Sequence, residues 1–314
     1  MRAVTIVDGD LVIQERPDPV PGPHEVLIEV AACGVNAADL LQRRGFYPAP
    51  PGAPEDIPGL ELAGTVVSLG DGVSTAAPGD RVMAIVAGGG QATHAVVHER
   101  HLLSIPDTID LVTAGGFPEA FSTAFDAIVA QGQLTAGDRL LVTGAAGGVG
   151  TAAIQLGARL GAKTVASVRD ATRGEALMSL GADLVVTPDE VSANGPFDVV
   201  LELVGAASLG NGVLSSLAPH ARVVVIGVGG GSRVEVDLLA LMGTQAVLTG
   251  STLRARSIEA KADVASGMRR TVLPMLGDGL LEVPVLATFP LEDAAGAYAR
   301  FAEGSKLGKI ILTT

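Results

Sequence analysis

The fold is decided by one stretch, Arg139-Leu-Leu-Val-Thr-Gly-Ala-Ala-Gly-Gly-Val-Gly-Thr-Ala-Ala-Ile-Gln-Leu156. Its apolar and β-branched start is typical of a buried parallel strand, and its later apolar residues recur with helical spacing. The glycines between them allow a tight turn and the close approach of a ligand. A helix that begins in such a turn presents free N–H groups and a positive dipole end. The stretch therefore predicts a pyrophosphate site for a dinucleotide, with a bare packing turn as the alternative.

Composition and charge exclude several classes of protein. The chain has 314 residues, 48% of them hydrophobic, which is enough for roughly two packed domains. Its formal charge of −13, without a run of Lys and Arg, argues against a nucleic-acid partner. A single cysteine, Cys33, excludes an intrachain disulfide framework and makes the reducing cytoplasm the expected location. No long apolar segment is present, so we expect neither secretion nor membrane insertion.

The pattern of residues changes along the chain. Residues 1–118 form short alternating runs separated by Pro-Gly and Asp-Gly turns, which predict a barrel-like β domain. One helix is expected from Asn36 to Gly45, and the proline-rich loop 46–51 that follows it is a candidate wall of a site.

Beyond residue 118, predicted strands alternate with predicted helices, including one over 209–217. This alternation indicates an α/β domain with a doubly wound parallel sheet. A long helix over 258–276 follows, and the last 35 or so residues are expected to return to short strands. We assign residues 1–118 and 253–314 to the β-rich domain and residues 119–252 to the inserted dinucleotide-binding domain.

The end of the second strand of that domain indicates which dinucleotide is expected. Folds that prefer the unphosphorylated cofactor place an acidic residue about 20 positions past the glycines. Here Ser167 leaves room, and Arg169 and Arg173 supply positive charge for a 2′-phosphate, which favours NADPH. In the competing interpretation both arginines are ordinary surface residues and Asp170 takes the place of the acid.

Several motifs, in order along nearly the whole chain, resemble the medium-chain dehydrogenase/reductase superfamily and, within it, the zinc-independent NADPH:quinone oxidoreductases. They are Gly34-Val-Asn-Ala-Ala-Asp39, Ile57-Pro-Gly-Leu-Glu-Leu-Ala-Gly64, Ala77-Pro-Gly-Asp-Arg-Val82, Thr123-Ala124, Ala145 to Gly150 and Gly308-Lys-Ile310. Leu41 to Tyr47, Gly88 to Ala92 and Ser251 to Arg254 are similar to the tumour-suppressor-inducible subgroup. The resemblance implies a Rossmann domain, a GroES-like catalytic domain and a homodimer formed through the last strand of the cofactor sheet, near residues 246–250.

The zinc enzymes of this family have a cysteine at the position of Asn36 and a histidine at that of Leu60. An amide and a leucine do not supply zinc ligands, so no metal is predicted. Cys33 lies three residues too early and is expected to be a buried structural thiol. Without a Lewis acid, intrinsically electrophilic acceptors such as quinones and activated enones are the expected substrates.

The resemblance also implies site residues. Asn36 and Tyr47 would lie near the nicotinamide, where Tyr47 donates to a quinone oxygen, and Thr123 would lie on the cofactor side. Their alternative roles are an N-cap for Asn36, packing against prolines for Tyr47 and a plain helical position for Thr123. The implied cofactor-binding residues are Ala146, Gly147, Gly148, Val149, Ser167, Arg169, Arg173, Gly205, Gly227, Val228, Thr252, Leu253 and Lys306.

Three functions follow from these residues. The leading hypothesis is NADPH-dependent reduction of quinones or quinone-like enones. An enoyl reductase acting on α,β-unsaturated thioesters or ketones needs nearly the same site, so substrate profiling separates these two. A non-catalytic NADPH-binding protein would bind the cofactor without turnover.

Overall fold

The chain folds into two compact units. The computed structural model describes residues 1–304 and 307–314. One unit comprises Met1–Ser122 together with Leu253–Thr314, and the other comprises Thr123–Thr252. The second unit is therefore inserted into the chain of the first.

The first unit is built on β-strands, as the turn-rich sequence predicts. Its N-terminal part contains β1 (Arg2–Val7), β2 (Asp10–Glu15), β3 (Glu25–Val35), α1 (Ala37–Arg43), β4 (Glu61–Leu69), β5 (Arg81–Ile85), β6 (His94–His98), β7 (Leu103–Ser104), α2 (Leu111–Ala114) and α3 (Pro118–Phe125). The long strand β3 is central, because both β4 and β6 pair with it in antiparallel fashion. The helix predicted after Asn36 is present as α1, and the division between the units falls within α3.

The second unit is a parallel sheet with helices in its connections. It contains β8 (Arg139–Thr143), α4 (Gly148–Arg159), β9 (Lys163–Ser167), α5 (Gly174–Ser179), β10 (Leu184–Val186), β11 (Phe197–Glu202), α6 (Ala206–Ser208), β12 (Leu217–Val225), α7 (Leu238–Thr244) and β13 (Val247–Gly250). The six strands lie in the order β10-β9-β8-β11-β12-β13. The strand order reverses between β8 and β11, and ligands of such sheets bind at the carboxyl ends of the strands at this point. The predicted Rossmann architecture is confirmed.

The chain then returns to the first unit with α8 (Ile258–Gly267), α9 (Leu273–Gly277), β14 (Val285–Pro290), α10 (Ala294–Ala302) and β15 (Lys309–Thr313). A π-helical turn, Met268–Val272, joins α8 to α9, so the predicted long helix is present. Strand β15 pairs antiparallel with β3, which places the end of the chain inside the first sheet, between β14 and β3. Within residues 1–304 and 307–314, the helices are too short or too polar to cross a membrane.

Two sequence-based predictions are wrong. The last part of the chain contains the helix α10, which the expectation of short strands missed. Ala294, Ala297 and Tyr298 are buried at helical spacing on this nine-residue helix. Alanine favours a helix and Asp293 caps this one, but a segment of nine residues is too short to form a stable helix alone. Its packing against the β-rich core stabilises it.

The helix predicted over 209–217 is also wrong in extent. Helix α6 continues only as a distorted turn, Leu209–Val213, in which Asn211 and Gly212 leave helical geometry. Gly212 has a φ of 93°, a conformation that glycine adopts without strain. Leu217 already belongs to strand β12. The Asn-Gly pair favours a turn over a helix, and this local preference prevails here.

Candidate active site

The glycine turn between β8 and α4 has the geometry of a phosphate cradle. Ala146, Gly147, Gly148 and Val149 are all partly exposed, whereas Gly150 is buried. Gly147 is the N-cap residue of the 12-residue helix α4, with an ordinary φ of −76°. A Cβ on Gly147 would meet no protein atom nearer than 3.7 Å. The free N–H groups of the first helical turn therefore border open space, as a bound diphosphate requires.

Gly150 has a different role in the same turn. A Cβ at Gly150 would lie 2.5 Å from the backbone oxygen of Ala145. Its missing side chain lets the helix pack directly against the backbone that leaves β8. This glycine therefore serves the fold, whereas Gly147 borders the space offered to a ligand.

The tip of β9 carries the residues assigned to the adenosine phosphate. Ser167 is buried at the end of the strand, Arg169 is exposed and Arg173 is partly exposed. The carboxylate of Asp170 accepts hydrogen bonds from the backbone N–H of Thr172 (3.1 Å) and from its hydroxyl (2.6 Å), and these bonds lower the pKa of Asp170. The Nε of Arg173 lies 3.4 Å from the same carboxylate. Asp170 is thus engaged in capping its own turn.

The loop after β11 contains the residues assigned to the nicotinamide. The Oε1 atom of Glu202 accepts hydrogen bonds from the Thr143 hydroxyl (2.8 Å) and from the N–H groups of Val204 (2.7 Å) and Gly205 (2.8 Å). Glu202 thus holds the turn in place. Gly205 has a φ of 102°. A Cβ at Gly227 would lie 2.1 Å from a backbone oxygen in this loop, so the two segments approach as only glycine allows.

The remaining predicted cofactor residues are placed in less uniform environments. Val228 is half exposed, Thr252 is exposed at the end of the second unit, and Leu253 is buried in the first unit. Thr123 is buried in α3. Lys306 lies outside the residues that the structure describes.

The first unit contains a buried cluster of Lys309, Glu61 and Asn36. The ammonium of Lys309 donates hydrogen bonds to Asn36 Oδ1 and to Glu61 Oε1, each at 2.5 Å. The Nδ2 of Asn36 donates to Glu61 Oε1 at 2.9 Å. Gly34 leaves the space for this cluster, because its Cβ would lie 2.1 Å from Glu61 Oε1. Asn36 is therefore held by a cation on one side and by a carboxylate on the other.

Asn36 is also the N-cap residue of α1, in a capping box with Asp39, so its predicted structural role is confirmed. Asp39 is fully buried and accepts backbone hydrogen bonds from Asn36 (2.7 Å) and Gly59 (3.1 Å). Burial raises the pKa of Asp39 to about 7. Cys33 is buried as well, as predicted, and burial raises the pKa of its thiol.

Tyr47 lies in the proline-rich loop that follows α1 and is partly buried. Burial raises the pKa of its phenol, and the nearby charge of Arg254 opposes that rise. Among the described residues, none hydrogen-bonds to the Tyr47 hydroxyl. Arg254 Nη1 donates to the backbone oxygen of Tyr47 at 2.8 Å, and the guanidinium carbon lies 5.0 Å from the ring centroid. The phenol group is thus oriented through its backbone and ring, while its hydroxyl can still donate a hydrogen bond to a ligand.

No role was predicted from the sequence for Glu61, Lys309 or Arg254. Glu61 interrupts the apolar run Leu60-Glu-Leu-Ala63, and Lys309 directly precedes the apolar run Ile310-Ile-Leu312, which was the available signal for a buried ion pair. A charge at the start of a strand is also common at the surface, so the pattern alone does not identify the pair. Arg254 carried no signal beyond its place in a quoted motif.

The geometry and the fold together define a nucleotide-dependent oxidoreductase, and comparisons with known proteins agree. Residues 22–107 match the alcohol dehydrogenase GroES-like domain and residues 148–267 match the zinc-binding dehydrogenase family. Human quinone oxidoreductase is 29% identical, with coverage of 99% of this chain and 97% of the relative. The bovine quinone oxidoreductase-like protein 2 is 30% identical, with coverage of 96% and 89%.

Solved structures show the same relationship. The cobalt- and zinc-bound thermostable alcohol dehydrogenase from Pyrobaculum aerophilum superposes with a TM-score of 0.85 at 30% identity, covering 100% of this chain and 99% of the other. The chain therefore belongs to the medium-chain dehydrogenase/reductase superfamily, as a homologue of its quinone oxidoreductases. Its family implies an oxidoreductase that uses a nicotinamide cofactor.

Proposed function

We propose that the chain is an NADPH-dependent reductase of quinones, or of quinone-like enones, that works without zinc. The observation that carries the proposal is the pairing of the Asn36 amide with Lys309 and Glu61. Zinc requires sulfur, nitrogen or carboxylate ligands in a tetrahedral arrangement. Within residues 1–304 and 307–314, no group of three or more His, Cys, Asp or Glu is arranged to hold a metal ion. The zinc that one family name implies does not fit here, because the Asn36 amide is hydrogen-bonded to an ammonium ion and the side chain of Leu60 has no ligand atom.

The proposed chemistry assigns a task to each part of the chain. When bound, NADPH supplies a hydride to the acceptor. The turn 146–149 and the start of α4 hold its pyrophosphate through backbone N–H groups. The hydroxyl of Tyr47 donates a hydrogen bond, and then a proton, to the acceptor oxygen on which negative charge develops. Water returns the proton to Tyr47, so that one quinone, one NADPH and one proton give one hydroquinone and NADP⁺.

The direct test follows NADPH oxidation with benzoquinone, naphthoquinone and an enone panel. We expect turnover that persists with a metal chelator and does not rise with added zinc. Tyr47→Phe is expected to lower kcat by about 100-fold, because a positioned general acid contributes on that order. Turnover of unsaturated thioesters alone would support an enoyl reductase instead. Saturable NADPH binding without any turnover would contradict the proposal.

The choice of NADPH over NADH rests on the tip of β9. Asp170 already accepts hydrogen bonds from Thr172 and pairs with Arg173, which makes it a poorer candidate for a ribose-binding acid. Arg169 is exposed, Arg173 is partly exposed, and both follow the small Ser167 within six positions in a chain of net charge −13. This arrangement favours the 2′-phosphate.

Arg173→Ala is expected to raise the KM for NADPH by about 10- to 100-fold while leaving the KM for NADH nearly unchanged, because a charge-assisted bond to phosphate contributes about 1.5–3 kcal/mol. Steady-state kinetics with both cofactors at fixed acceptor concentration measures the change. Lys163→Ala is the matched control, since Lys163 is exposed at the opposite end of β9. An equal effect on both cofactors, or none, would contradict the assignment.

We also propose that the chain forms a homodimer through β13. This strand is the edge of the six-stranded sheet and, among the residues that the structure describes, pairs only with β12. Val247 and Leu248 on the strand and Leu238, Leu239 and Met242 on α7 are exposed apolar side chains. A second copy would cover both the open edge and these side chains.

Light scattering at micromolar concentration tests the proposed dimer. The wild type is expected to give twice the chain mass, and Leu248→Asp is expected to give a monomer. A monomeric wild type would contradict this proposal.

A further inference from the structure

Arg254 is a buried cation at the point where the chain re-enters the first unit. Only 5% of its surface is exposed. Its guanidinium donates hydrogen bonds to the backbone oxygens of Ala87 (2.7 Å) and Tyr47 (2.8 Å) and to the side-chain oxygen of Gln42 (2.6 Å). These acceptors belong to three separate segments of the unit, so one side chain connects all three.

The connection extends along the loop that carries Tyr47. Gln42, on α1, accepts from Arg254 and donates through Nε2 to the backbone oxygen of Glu55 at 3.0 Å. Arg254 thus binds the loop directly at Tyr47, and Gln42 fixes a position further along it. The loop has no helix or strand of its own between α1 and β4, so hydrogen bonds restrain it: those of Arg254 and Gln42 act near Tyr47 and Glu55, and backbone bonds such as Ile6 N–H to Asp56 (2.8 Å) act further along.

The charge of Arg254 is not neutralised by its acceptors, which are two backbone carbonyls and a side-chain amide. Burial lowers the pKa of the guanidinium. A buried cation whose hydrogen-bond partners are neutral is unfavourable, and among the described residues only the nearby Tyr47 and the buried carboxylate of Asp39 favour its charged form. A cost of this kind suggests that the charge has a function. The guanidinium lies against the ring of Tyr47, with 5.0 Å between its carbon and the ring centroid.

We propose that Arg254 is the positioning residue of Tyr47: it fixes the backbone and ring of this tyrosine and stabilises the phenolate that forms when the hydroxyl gives up its proton. The proposal deepens the proposed function, on which its catalytic meaning rests. In the reduction, the proton leaves the Tyr47 oxygen for the acceptor oxygen as the hydride adds to the acceptor. A cation against the ring lowers the energy of the phenolate that remains until water reprotonates it.

A spectroscopic titration tests the coupling without cofactor or acceptor. The chain has two tyrosines and no tryptophan, so tyrosinate absorbance reports only Tyr47 and Tyr298. Tyr298 is buried and its pKa is raised well above its usual range, which makes the first step that of Tyr47. Tyr298→Phe removes the second step where that variant folds. The wild type and the Tyr298→Phe variant therefore each give the pKa of Tyr47.

Arg254→Met removes the charge and keeps most of the aliphatic stem, whereas Arg254→Lys keeps the charge and loses the planar fork. We expect the pKa of Tyr47 to rise in Arg254→Met and to rise less in Arg254→Lys. If Arg254 only held the loop in place, the pKa of Tyr47 would fall in Arg254→Met, because the released loop would expose the phenol to water and return its pKa towards the usual value. An unchanged or lowered pKa in Arg254→Met overturns the proposal.

Kinetics give the second measurement. Arg254→Met is expected to lower kcat by about tenfold with little change in the KM for NADPH, and to move the pH limb assigned to Tyr47 in the same direction as the titration. The double variant Tyr47→Phe/Arg254→Met is expected to match Tyr47→Phe alone, since Arg254 acts through that hydroxyl. Additive losses would overturn the proposal.

Arg81→Met is the matched control. Arg81 is a partly buried arginine of the same unit that donates to the backbone oxygen of Ile109 at 2.6 Å, so its loss removes an anchoring bond elsewhere. We expect no change in the pKa of Tyr47 or in kcat for this variant. If the wild-type protein shows no turnover of any acceptor, the proposed function is wrong. The titration would still decide whether Arg254 is coupled to the phenol of Tyr47.

Discussion

Lys309→Met is expected to lower the free energy of unfolding by about 3–5 kcal/mol, the usual loss when one partner of a buried ion pair is removed. Methionine has a similar length but no charge, so it leaves the carboxylate of Glu61 buried and uncompensated. Glu61 has no exposed surface, and Lys309 is only 4% exposed. Asn36 Oδ1 also loses its donor. Urea unfolding monitored by circular dichroism measures the change.

A second substitution sharpens this prediction. Glu61→Gln added to Lys309→Met is expected to restore much of the lost stability, because no buried charge of the pair then remains. Once Lys309 is gone, the Asn36 amide can turn so that its oxygen accepts from Gln at position 61, but this gives up its capping contact with the Asp39 N–H and leaves the recovery incomplete. The side-chain oxygen of the same glutamine accepts from the backbone N–H of Glu119, as Glu61 Oε2 does now at 2.9 Å. A double variant no more stable than Lys309→Met would contradict this account.

Lys163→Met serves as the control for the loss of a lysine. Lys163 is exposed at the start of β9, and its replacement is expected to change the stability by less than about 0.5 kcal/mol. A loss as large as that of Lys309→Met would show that the effect does not come from the buried cluster.

Gly147→Asp is expected to weaken NADPH binding by at least about 100-fold, or about 2.7 kcal/mol, while the fold is retained. Aspartate is a favourable N-cap, and its charge complements the helix dipole, so α4 itself is not weakened. The added side chain meets no protein atom at the position of its Cβ, since the nearest lies 3.7 Å away. Its carboxylate would instead occupy the place proposed for the pyrophosphate and repel the negative charge of that group. Titration of NADPH fluorescence measures the affinity.

Two further variants separate charge from volume and from folding. Gly147→Asn has nearly the same size and capping ability without the charge, and it is expected to lose only about tenfold in affinity. Gly150→Ala is expected to destabilise the unit, because its Cβ would lie 2.5 Å from the backbone oxygen of Ala145. Wild-type affinity in Gly147→Asp would contradict the proposed cofactor site.

Much of the fold could be predicted because its signals are local. The glycine turn, the alternating apolar runs and the helical stripe of α4 are all read within a few residues of each other, and each appears in the structure as expected. The errors concern segments that are short or whose local signals conflict. Helix α10 is short and alanine-rich, and the Asn211-Gly212 pair interrupts a helix that apolar spacing alone suggested.

The sequence by itself determined most of the order of strands and helices, the glycine turn that precedes α4, and the amide and leucine at the positions where the family resemblance places zinc ligands. Only the tertiary structure decided which charges meet. Lys309 reaches Glu61 across 248 positions, and Arg254 reaches Gln42 across 212. The first contact exists because β15 pairs with β3 inside the sheet. Periodicity encodes which face of a strand is buried, but the choice of a distant partner depends on the packing of the whole core.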